Sequence, residues 1–108
     1  MLRQMQQEID EWISSFEEGY WSPLANLARL VEEVGELSRE INHHYGQKPK
    51  KTEEPEGSIA LELGDILFVV GSLANSLKID LDEAFAQVME KYRTRDAKRW
   101  HPRSRDPQ

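Results

Sequence analysis

The segment from Ser58 to Lys78 constrains the fold most strongly, because it is apolar on nearly every side of a helix and still carries two acids. A helix that is hydrophobic all round lies at the centre of its protein. Glu62 and Asp65 share one face of this helix, and no lysine or arginine lies near them in sequence. Because a buried carboxylate is costly unless it is paired or binds a metal, the segment predicts a central helix with a polar site on it.

A second acidic motif, Glu32-Glu33-Val-Gly-Glu36, lies on the preceding helical stretch. That stretch begins with Ser22-Pro23, an N-cap followed by proline at the first helical position, and its apolar spacing extends to about His44. Alone, the acids would be typical of a solvated helix face. Together with Glu62 and Asp65, they predict a cluster of carboxylate oxygens, which are the ligands that Mg²⁺ prefers.

Two further helices complete the predicted fold. Residues 2 to about 16 place apolar side chains at spacings of three and four, and Asp80-Leu-Asp-Glu83 predicts a capping box for a last helix. The face of that helix expected to pack inward comprises Leu81, Ala84, Phe85, Val88 and Tyr92. We predict an all-α fold of one domain, residues 1–108, as a four-helix-type bundle around the apolar third helix. A polar loop occupies about 46–57, and a basic tail about 101–108.

A stripe of small residues on the third helix suggests self-association. Glycine costs roughly 1 kcal/mol relative to alanine within a helix, so Gly64 and Gly71 indicate close approach of another helix. Ala60 and Ala74 extend the same stripe. Because a chain of 108 residues has a limited core of its own, we expect a homo-oligomer with a seam along this stripe.

Composition excludes several classes of function. The absence of cysteine excludes disulfides, zinc–thiolate sites and thiol nucleophiles. A net charge of −6 argues against stable nucleic-acid binding, which begins with phosphate neutralisation. With no long apolar run at the N-terminus, we expect a cytoplasmic protein without membrane association. Seven of the fourteen basic residues lie within the last eighteen positions, forming either a solvated tail or a phosphate-binding end.

The two acidic motifs, Glu-Glu-x-x-Glu and Glu-x-x-Asp on successive helices, resemble the MazG-like nucleoside triphosphate pyrophosphohydrolases in their short single-domain form. The resemblance runs from Trp21 to Arg99 and includes the Trp-Ser-Pro entry and Lys-Tyr-Arg-x-Arg near the end. It implies Mg²⁺-dependent hydrolysis, with Mn²⁺ as a substitute, of a (deoxy)nucleoside triphosphate to the monophosphate and pyrophosphate. A role in clearing unwanted nucleotides and assembly as a homodimer or dimer of dimers are also implied.

The resemblance assigns roles by position. It implies that the Mg²⁺ ligands are Glu33, Glu36, Glu62 and Asp65. Glu32 joins Glu33 as a catalytic residue, either as an additional ligand or as the base that orients the attacking water. Lys91 and Arg95 match the basic positions of the last helix and would neutralise phosphate charge.

Candidate contacts to the base or sugar are Trp21, His43 and Asn75. Trp21 could stack on a base, and His43 lies on the same side of its helix as Glu32 and Glu36. Asn75 could bind a base edge or a sugar hydroxyl. A lone histidine or a loop tryptophan is more often a packing residue, and Asn75 is also explained as a polar position close to the helix terminus.

Two other functions were weighed against hydrolysis. Glu40-Ile-Asn-His43 has the spacing of a di-iron carboxylate motif, but such sites need one from each of two helices, so iron is disfavoured. A non-enzymatic helical protein-interaction module would explain solvated acids and a basic tail. It gives no account of Glu62 and Asp65.

Overall fold

The computed structural model describes residues 1–46 and 57–103, which form four helices and, within those ranges, no strand. The helices are α1 (Leu2–Ser14), α2 (Pro23–Tyr45), α3 (Ile59–Ser76) and α4 (Leu81–Arg95). The all-α prediction is therefore confirmed. Most of the predicted polar loop and the end of the basic tail fall on 47–56 and 104–108, outside the described residues.

Three of the helices begin at a residue whose side chain caps them, and the sequence predicts two of these caps, Ser22 and Asp80. The Ser22 hydroxyl accepts a hydrogen bond from the Ala25 amide at 3.1 Å, and Ser58 accepts one from Leu61 at 3.2 Å. Asp80 caps α4 by accepting from the Asp82 amide at 2.9 Å. Each cap satisfies an amide that the first helical turn leaves without a partner, which fixes where the helix begins.

Helix α3 packs against both α2 and α1, and it carries the fully buried Val69. By length and composition alone, Ile59–Ser76 could also cross a membrane, and 22% of this stretch is buried inside the structure. The core helix of a water-soluble protein, which is mostly buried, passes the same test of length and composition. Its contacts with two helices favour the role of a core helix. The prediction that α3 is central among the helices is consistent with this packing.

A buried glutamine joins α1 to the turn between α3 and α4. The Gln6 amide donates to Asn75 Oδ1 at 2.9 Å and to the Ile79 carbonyl at 2.7 Å, and its oxygen accepts from the Leu81 amide at 2.8 Å. Asn75 in turn donates to the Gln6 carbonyl and to the Tyr20 hydroxyl. Because a buried polar group without a partner is costly, this network specifies the position of α1.

Acidic residues at the start of α4 bind the first turn of α1. The Asp82 carboxylate accepts from the Leu2 and Arg3 amides, at 3.0 and 3.1 Å. The Arg3 guanidinium lies 2.8 Å from Asp80. These hydrogen bonds hold the pKa of Asp80 and the pKa of Asp82 below the usual range. They attach α4 to α1 at one end only.

The remainder of α4 does not close a four-helix core within the chain, so the expectation that its apolar face packs inward is wrong for a single copy. Phe85 is 57% exposed and Tyr92 is 49% exposed, and α4 packs chiefly on α1. The radius of gyration is 18.5 Å, whereas a compact domain of this length has about 13 Å. One chain therefore leaves core-type side chains uncovered.

Helix α1 covers one glycine of the small-residue stripe on α3 and leaves the other exposed. Gly71 is buried, and a Cβ there would overlap Cδ1 of Ile9 and lie 3.4 Å from Cε of Met5. The expected dimer seam is therefore wrong at Gly71, because α1 of the same chain occupies that position. Gly64 is exposed, and no atom of a described residue lies within 4 Å of a Cβ added there.

Replacing Gly71 with leucine should displace α1 from α3 and lower the free energy of unfolding by about 1–3 kcal/mol through overpacking. Gly64→Leu is the matched control on the same helix. Leucine has a better helix propensity than glycine, so this substitution should not lower the free energy of unfolding. Chemical denaturation of both variants measures the difference. Equal destabilisation by the two substitutions would contradict the assigned packing of α1.

Candidate metal centre and adjoining pocket

Helices α2 and α3 run antiparallel, and one polar face of each lies at their contact. Glu40 packs against Gly57 at one end of this seam, where a Cβ on Gly57 would overlap the Glu40 carboxylate. Asn26 and Ser72 lie at the other end, both buried and lining the same cavity. The residues between these ends are Arg29, Glu33 and Glu36 on α2 and Glu62, Asp65 and Phe68 on α3.

Three carboxylates meet at the middle of this seam. Oxygens of Glu33, Glu62 and Asp65 lie within 4.8 Å of one another. The side chains of Glu33 and Glu62 are half-buried, whereas Asp65 is exposed. One carboxylate oxygen of Glu33 and one of Glu62, both Oε2, are buried without a hydrogen-bond partner among the described residues. Such oxygens are expected where a cation would complete the site.

The electrostatics of this acidic cluster also favour a bound cation. Burial, followed by the negative charges of Glu36 and Asp65, raises the pKa of Glu33, which Arg29 partly opposes. Burial also raises the pKa of Glu62, with Glu36, Asp65 and Glu33 adding to the effect. Because like charges at this spacing disfavour ionisation, a divalent cation would be bound most readily by the deprotonated cluster. The all-oxygen donor set fits Mg²⁺.

The other two acids of α2 lie around the cluster. The negative charge of Glu36 raises the pKa of both Glu33 and Glu62, although the carboxylates that converge within 4.8 Å are those of Glu33, Glu62 and Asp65. Glu32 is exposed and adds a smaller repulsion to Glu33. Their roles as ligand or base stay predictions.

Arg29 is a site residue that the sequence reasoning missed. Its Nε lies 3.8 Å from Oε1 of Glu33, one helical turn away. Its guanidinium carbon lies 5.5 Å from the ring centre of Trp21 and 5.5 Å from that of Phe68. The signal available in the sequence was the four-residue spacing between Arg29 and Glu33, which favours an ion pair.

A pocket of about 350 Å³ adjoins the cluster on the far side of Arg29. Aromatic side chains form much of its wall, and Asn26 at its base donates to the Trp21 carbonyl at 3.3 Å. The aromatic residues lining it are Trp12, Phe16, Tyr20, Trp21 and Phe68. The candidate base contact Trp21 therefore lies at a cavity that begins beside the acids.

The remaining candidates lie elsewhere or are already engaged. Asn75 makes three hydrogen bonds in the packing of α1, to Gln6 and Tyr20. His43 is half-buried on α2, beyond Glu40. Their roles in base recognition stay predictions.

The predicted phosphate-binding residues on α4 are not brought to the acids within one chain. Nζ of Lys91 lies 5.2 Å from the Tyr92 ring centre, and Nε of Arg95 lies 3.4 Å from Asp96. Neither makes an ion pair with the acidic cluster among the described residues. Their role in binding phosphate stays a prediction.

The raised pKa values predict how pH affects the metal-free protein. Since Glu33 and Glu62 have folded pKa values above their ordinary 4.5, the folded state binds these protons more tightly than the unfolded state. Their contribution to stability is therefore present below 4.5 and lost as pH rises through the raised values. In EDTA, the melting temperature of Glu62→Gln should therefore fall less than that of wild type as the pH is raised from 5 to 7. The exposed Glu8→Gln should behave as wild type; identical profiles for Glu62→Gln and wild type would refute the assigned repulsion.

Comparison with known proteins shows which family the chain resembles. Residues 21–100 match the MazG nucleotide pyrophosphohydrolase domain. YpjD of Bacillus subtilis, described as an uncharacterized protein, is 56% identical over 99 residues, which are 92% of this chain and 89% of YpjD.

Two crystal structures share the fold. That of Bacillus subtilis YpjD, a proposed pyrophosphatase, matches with a TM-score of 0.78 at 54% identity, over 87% of this chain and 96% of that one. The Bacillus-conserved MazG protein, a nucleotide pyrophosphohydrolase, matches with a TM-score of 0.74 at 47% identity, over 99% and 96% of the two chains. The chain belongs to the MazG nucleotide pyrophosphohydrolase family, as its paired acidic motifs indicate.

Proposed function

We propose that this chain is a Mg²⁺-dependent pyrophosphohydrolase that cleaves a (deoxy)nucleoside triphosphate to the monophosphate and pyrophosphate. The observation that carries the proposal is the convergence of Glu33, Glu62 and Asp65 within 4.8 Å, with two buried oxygens that have no hydrogen-bond partner in the part of the chain that the structure describes. A non-enzymatic interaction module offers no reason to place unpartnered carboxylates at the seam of two helices.

Glu33, Glu36, Glu62 and Asp65 would hold the metal. When bound, Mg²⁺ supplies positive charge beside phosphate oxygens and makes water a better nucleophile. The exposed carboxylate of Glu32 lies next to these ligands on α2, where it can accept a proton from the attacking water. The water oxygen bonds to the α-phosphorus, the bond from that phosphorus to the bridging oxygen breaks, and pyrophosphate leaves.

The aromatic pocket is the proposed site of the nucleobase. Its volume of about 350 Å³ falls within the range of small-molecule sites, and Trp21 offers a ring on which a base can stack. A base held there would direct its phosphates past Arg29 towards the acidic cluster. This placement does not favour one base over another.

We further propose that the active form is a homodimer or a dimer of dimers. Apolar side chains of α2 and α4 remain exposed in one chain, among them Leu24 at 76% and Val31 at 65%. An apolar groove of about 610 Å³ between α1, α3 and α4 adds to this surface, with Leu67 and Phe85 on its walls. A second copy would cover such surface and could supply Lys91 and Arg95 to the site.

Substitution of a proposed metal ligand should abolish turnover without loss of the helical fold. Asp65→Asn and Glu36→Gln should each lower the rate of hydrolysis by more than about 100-fold. Substituting residues that only hydrogen-bond to a metal ligand already lowers activity by up to about 100-fold, and a ligand itself should matter more. Glu8→Gln, an exposed acid of α1, serves as the control. The assay quantifies monophosphate and pyrophosphate together, with and without EDTA. Near-normal rates for either ligand variant in saturating Mg²⁺ would contradict the site.

Complementation tests the source of the phosphate-binding residues. Co-expressed Lys91→Ala/Arg95→Ala and Asp65→Asn chains should form mixed dimers with one intact site, restoring roughly a quarter of wild-type activity when sites are formed across the interface. Each variant alone should be inactive. Analytical ultracentrifugation verifies assembly. A monomeric active protein, or mixed dimers without activity, would contradict the proposal.

A further inference from the structure

The aromatic pocket has a polar floor, formed by two buried side chains that the proposed function leaves unused. Asn26 is 2% exposed and Ser72 is 5% exposed, and both line the cavity. Asn26 belongs to α2 and Ser72 to α3, the two helices that also form the acidic cluster. Because a buried polar group is costly without a partner, such a pair in a largely aromatic cavity indicates a polar ligand there.

One hydrogen bond fixes the orientation of the Asn26 amide. Its Nδ2 donates to the Trp21 carbonyl at 3.3 Å. A carbonyl oxygen only accepts hydrogen bonds, so turning the amide over would set Oδ1 against the Trp21 oxygen, with two acceptors facing each other. Oδ1 of Asn26 is therefore held as an acceptor, and no described residue donates a hydrogen bond to it.

The two hydroxyl groups that line the pocket differ in what they can still offer. The Tyr20 hydroxyl already donates to Asp10 and accepts from Asn75, so its capacity is used within the chain. The buried Ser72 hydroxyl makes no hydrogen bond with a described residue. A hydroxyl can donate one hydrogen bond as well as accept. The polar floor thus offers a fixed acceptor on Asn26 and an adaptable donor on Ser72.

The distance of the polar floor from the acidic cluster suits a nucleoside. Asn26 precedes Glu33 by seven residues, and Ser72 follows Asp65 by seven. Seven helical residues advance about 10 Å, so the floor lies about two turns from the carboxylates. This separation leaves room for a sugar between phosphates at the cluster and a base edge at the floor.

The hydrogen-bonding groups of the floor distinguish between bases that stacking alone accepts equally. An aromatic ring such as that of Trp21 stacks on any base, because every base has a π-face. Adenine and cytosine carry an exocyclic amino donor, and asparagine pairs with the amino group and ring nitrogen of adenine. At this floor, Oδ1 of Asn26 would accept from the amino group while Ser72 donates to the ring nitrogen.

A base with a carbonyl in place of the amino group meets a repulsive contact. In uracil or hypoxanthine the exocyclic oxygen would face Oδ1 of Asn26, and both atoms are acceptors. The amide cannot turn over to donate without losing its bond to the Trp21 carbonyl and facing that oxygen instead. Specificity of this kind depends on the unfavourable pairing as much as on the favourable one.

We propose that Asn26, together with Ser72, determines specificity by favouring nucleotides whose base carries an exocyclic amino group. Cytosine and adenine are the favoured bases, and their deaminated counterparts uracil and hypoxanthine are disfavoured. This inference rests on the proposed function and names the class of base on which it acts. Both side chains lie away from the acidic cluster, so they affect the choice of substrate and not the bond that is cleaved.

A purely structural role for Asn26 predicts a different result. If its amide served only to hold the Trp21 backbone at the start of α2, its loss would weaken the binding of every nucleotide alike. The ratio of affinities between an amino base and its deaminated counterpart would then stay unchanged, because the two differ only at the base edge. That ratio is therefore the decisive measurement.

The test measures binding of non-hydrolysable α,β-imido deoxynucleoside triphosphates by calorimetry with Mg²⁺ present. The four ligands form two matched pairs, cytosine with uracil and adenine with hypoxanthine. Inorganic triphosphate is the ligand without a base. The variants are Asn26→Leu and Ser72→Ala. Asn42→Leu is the control, because it makes the same substitution at an exposed position of α2.

Wild-type protein should bind the amino member of at least one pair about tenfold to hundredfold more tightly than its deaminated counterpart. The pair that shows this preference identifies the base as cytosine or adenine. Asn26→Leu should bind the two members of that pair alike and bind inorganic triphosphate as wild type does. Ser72→Ala should lower the ratio less, and Asn42→Leu should leave it unchanged.

Equal wild-type affinities within both pairs, or a preference for uracil or hypoxanthine, would overturn the inference. So would an Asn26→Leu variant that keeps the wild-type ratio. If Asn26→Leu does not fold, Ser72→Ala decides: a ratio equal to that of wild type would overturn the role of the polar floor.

These outcomes also separate the inference from the function on which it rests. Wild-type protein that hydrolyses all four triphosphates without preference would overturn the role of Asn26 and leave the proposed function standing. Wild-type protein that neither binds nor hydrolyses any triphosphate would overturn the proposed function, and this inference with it.

Discussion

The burial of carboxylates between α2 and α3 is the constraint on which the rest of the structure depends. Within residues 1–46 and 57–103, Glu33 and Glu62 each keep an oxygen out of water without a hydrogen-bond partner. Burying such an oxygen costs free energy, and the pairing of the two helices imposes that cost. The antiparallel contact that imposes this cost also aligns Arg29 and Phe68 beyond one end of the cluster. The positions of the acidic cluster, of Arg29 and of the aromatic pocket therefore follow from one helix–helix register.

Helices α1 and α4 support the contact between α2 and α3, but one chain leaves apolar side chains of α4 exposed. Helix α1 is fixed by the Gln6 network and by its close approach to Gly71, so the pocket wall that includes Trp12 has a defined position. Helix α4 is attached to α1 at its first turn through Asp82 and otherwise exposes apolar side chains. A core of this kind is expected to be completed by association.

Helix positions were predictable because their signals are local. Ser22, Ser58 and Asp80 each cap a helix through contacts within three residues, and the spacing of the acids indicated which faces would meet. The packing of Gly71 on Ile9 was not predictable, because it joins residues far apart in sequence that offer no pairing signal. The same holds for Arg29. Its spacing to Glu33 was visible, but its contact with Phe68 exists only once α2 and α3 pair.

The most direct measurement of the central claim is hydrolysis of a deoxynucleoside triphosphate in ¹⁸O-labelled water, followed by mass spectrometry of both products. Attack at the α-phosphorus places the label in the monophosphate and leaves pyrophosphate unlabelled. Label in pyrophosphate, or release of orthophosphate and a nucleoside diphosphate, would show that the chain cleaves by a different attack or at a different bond.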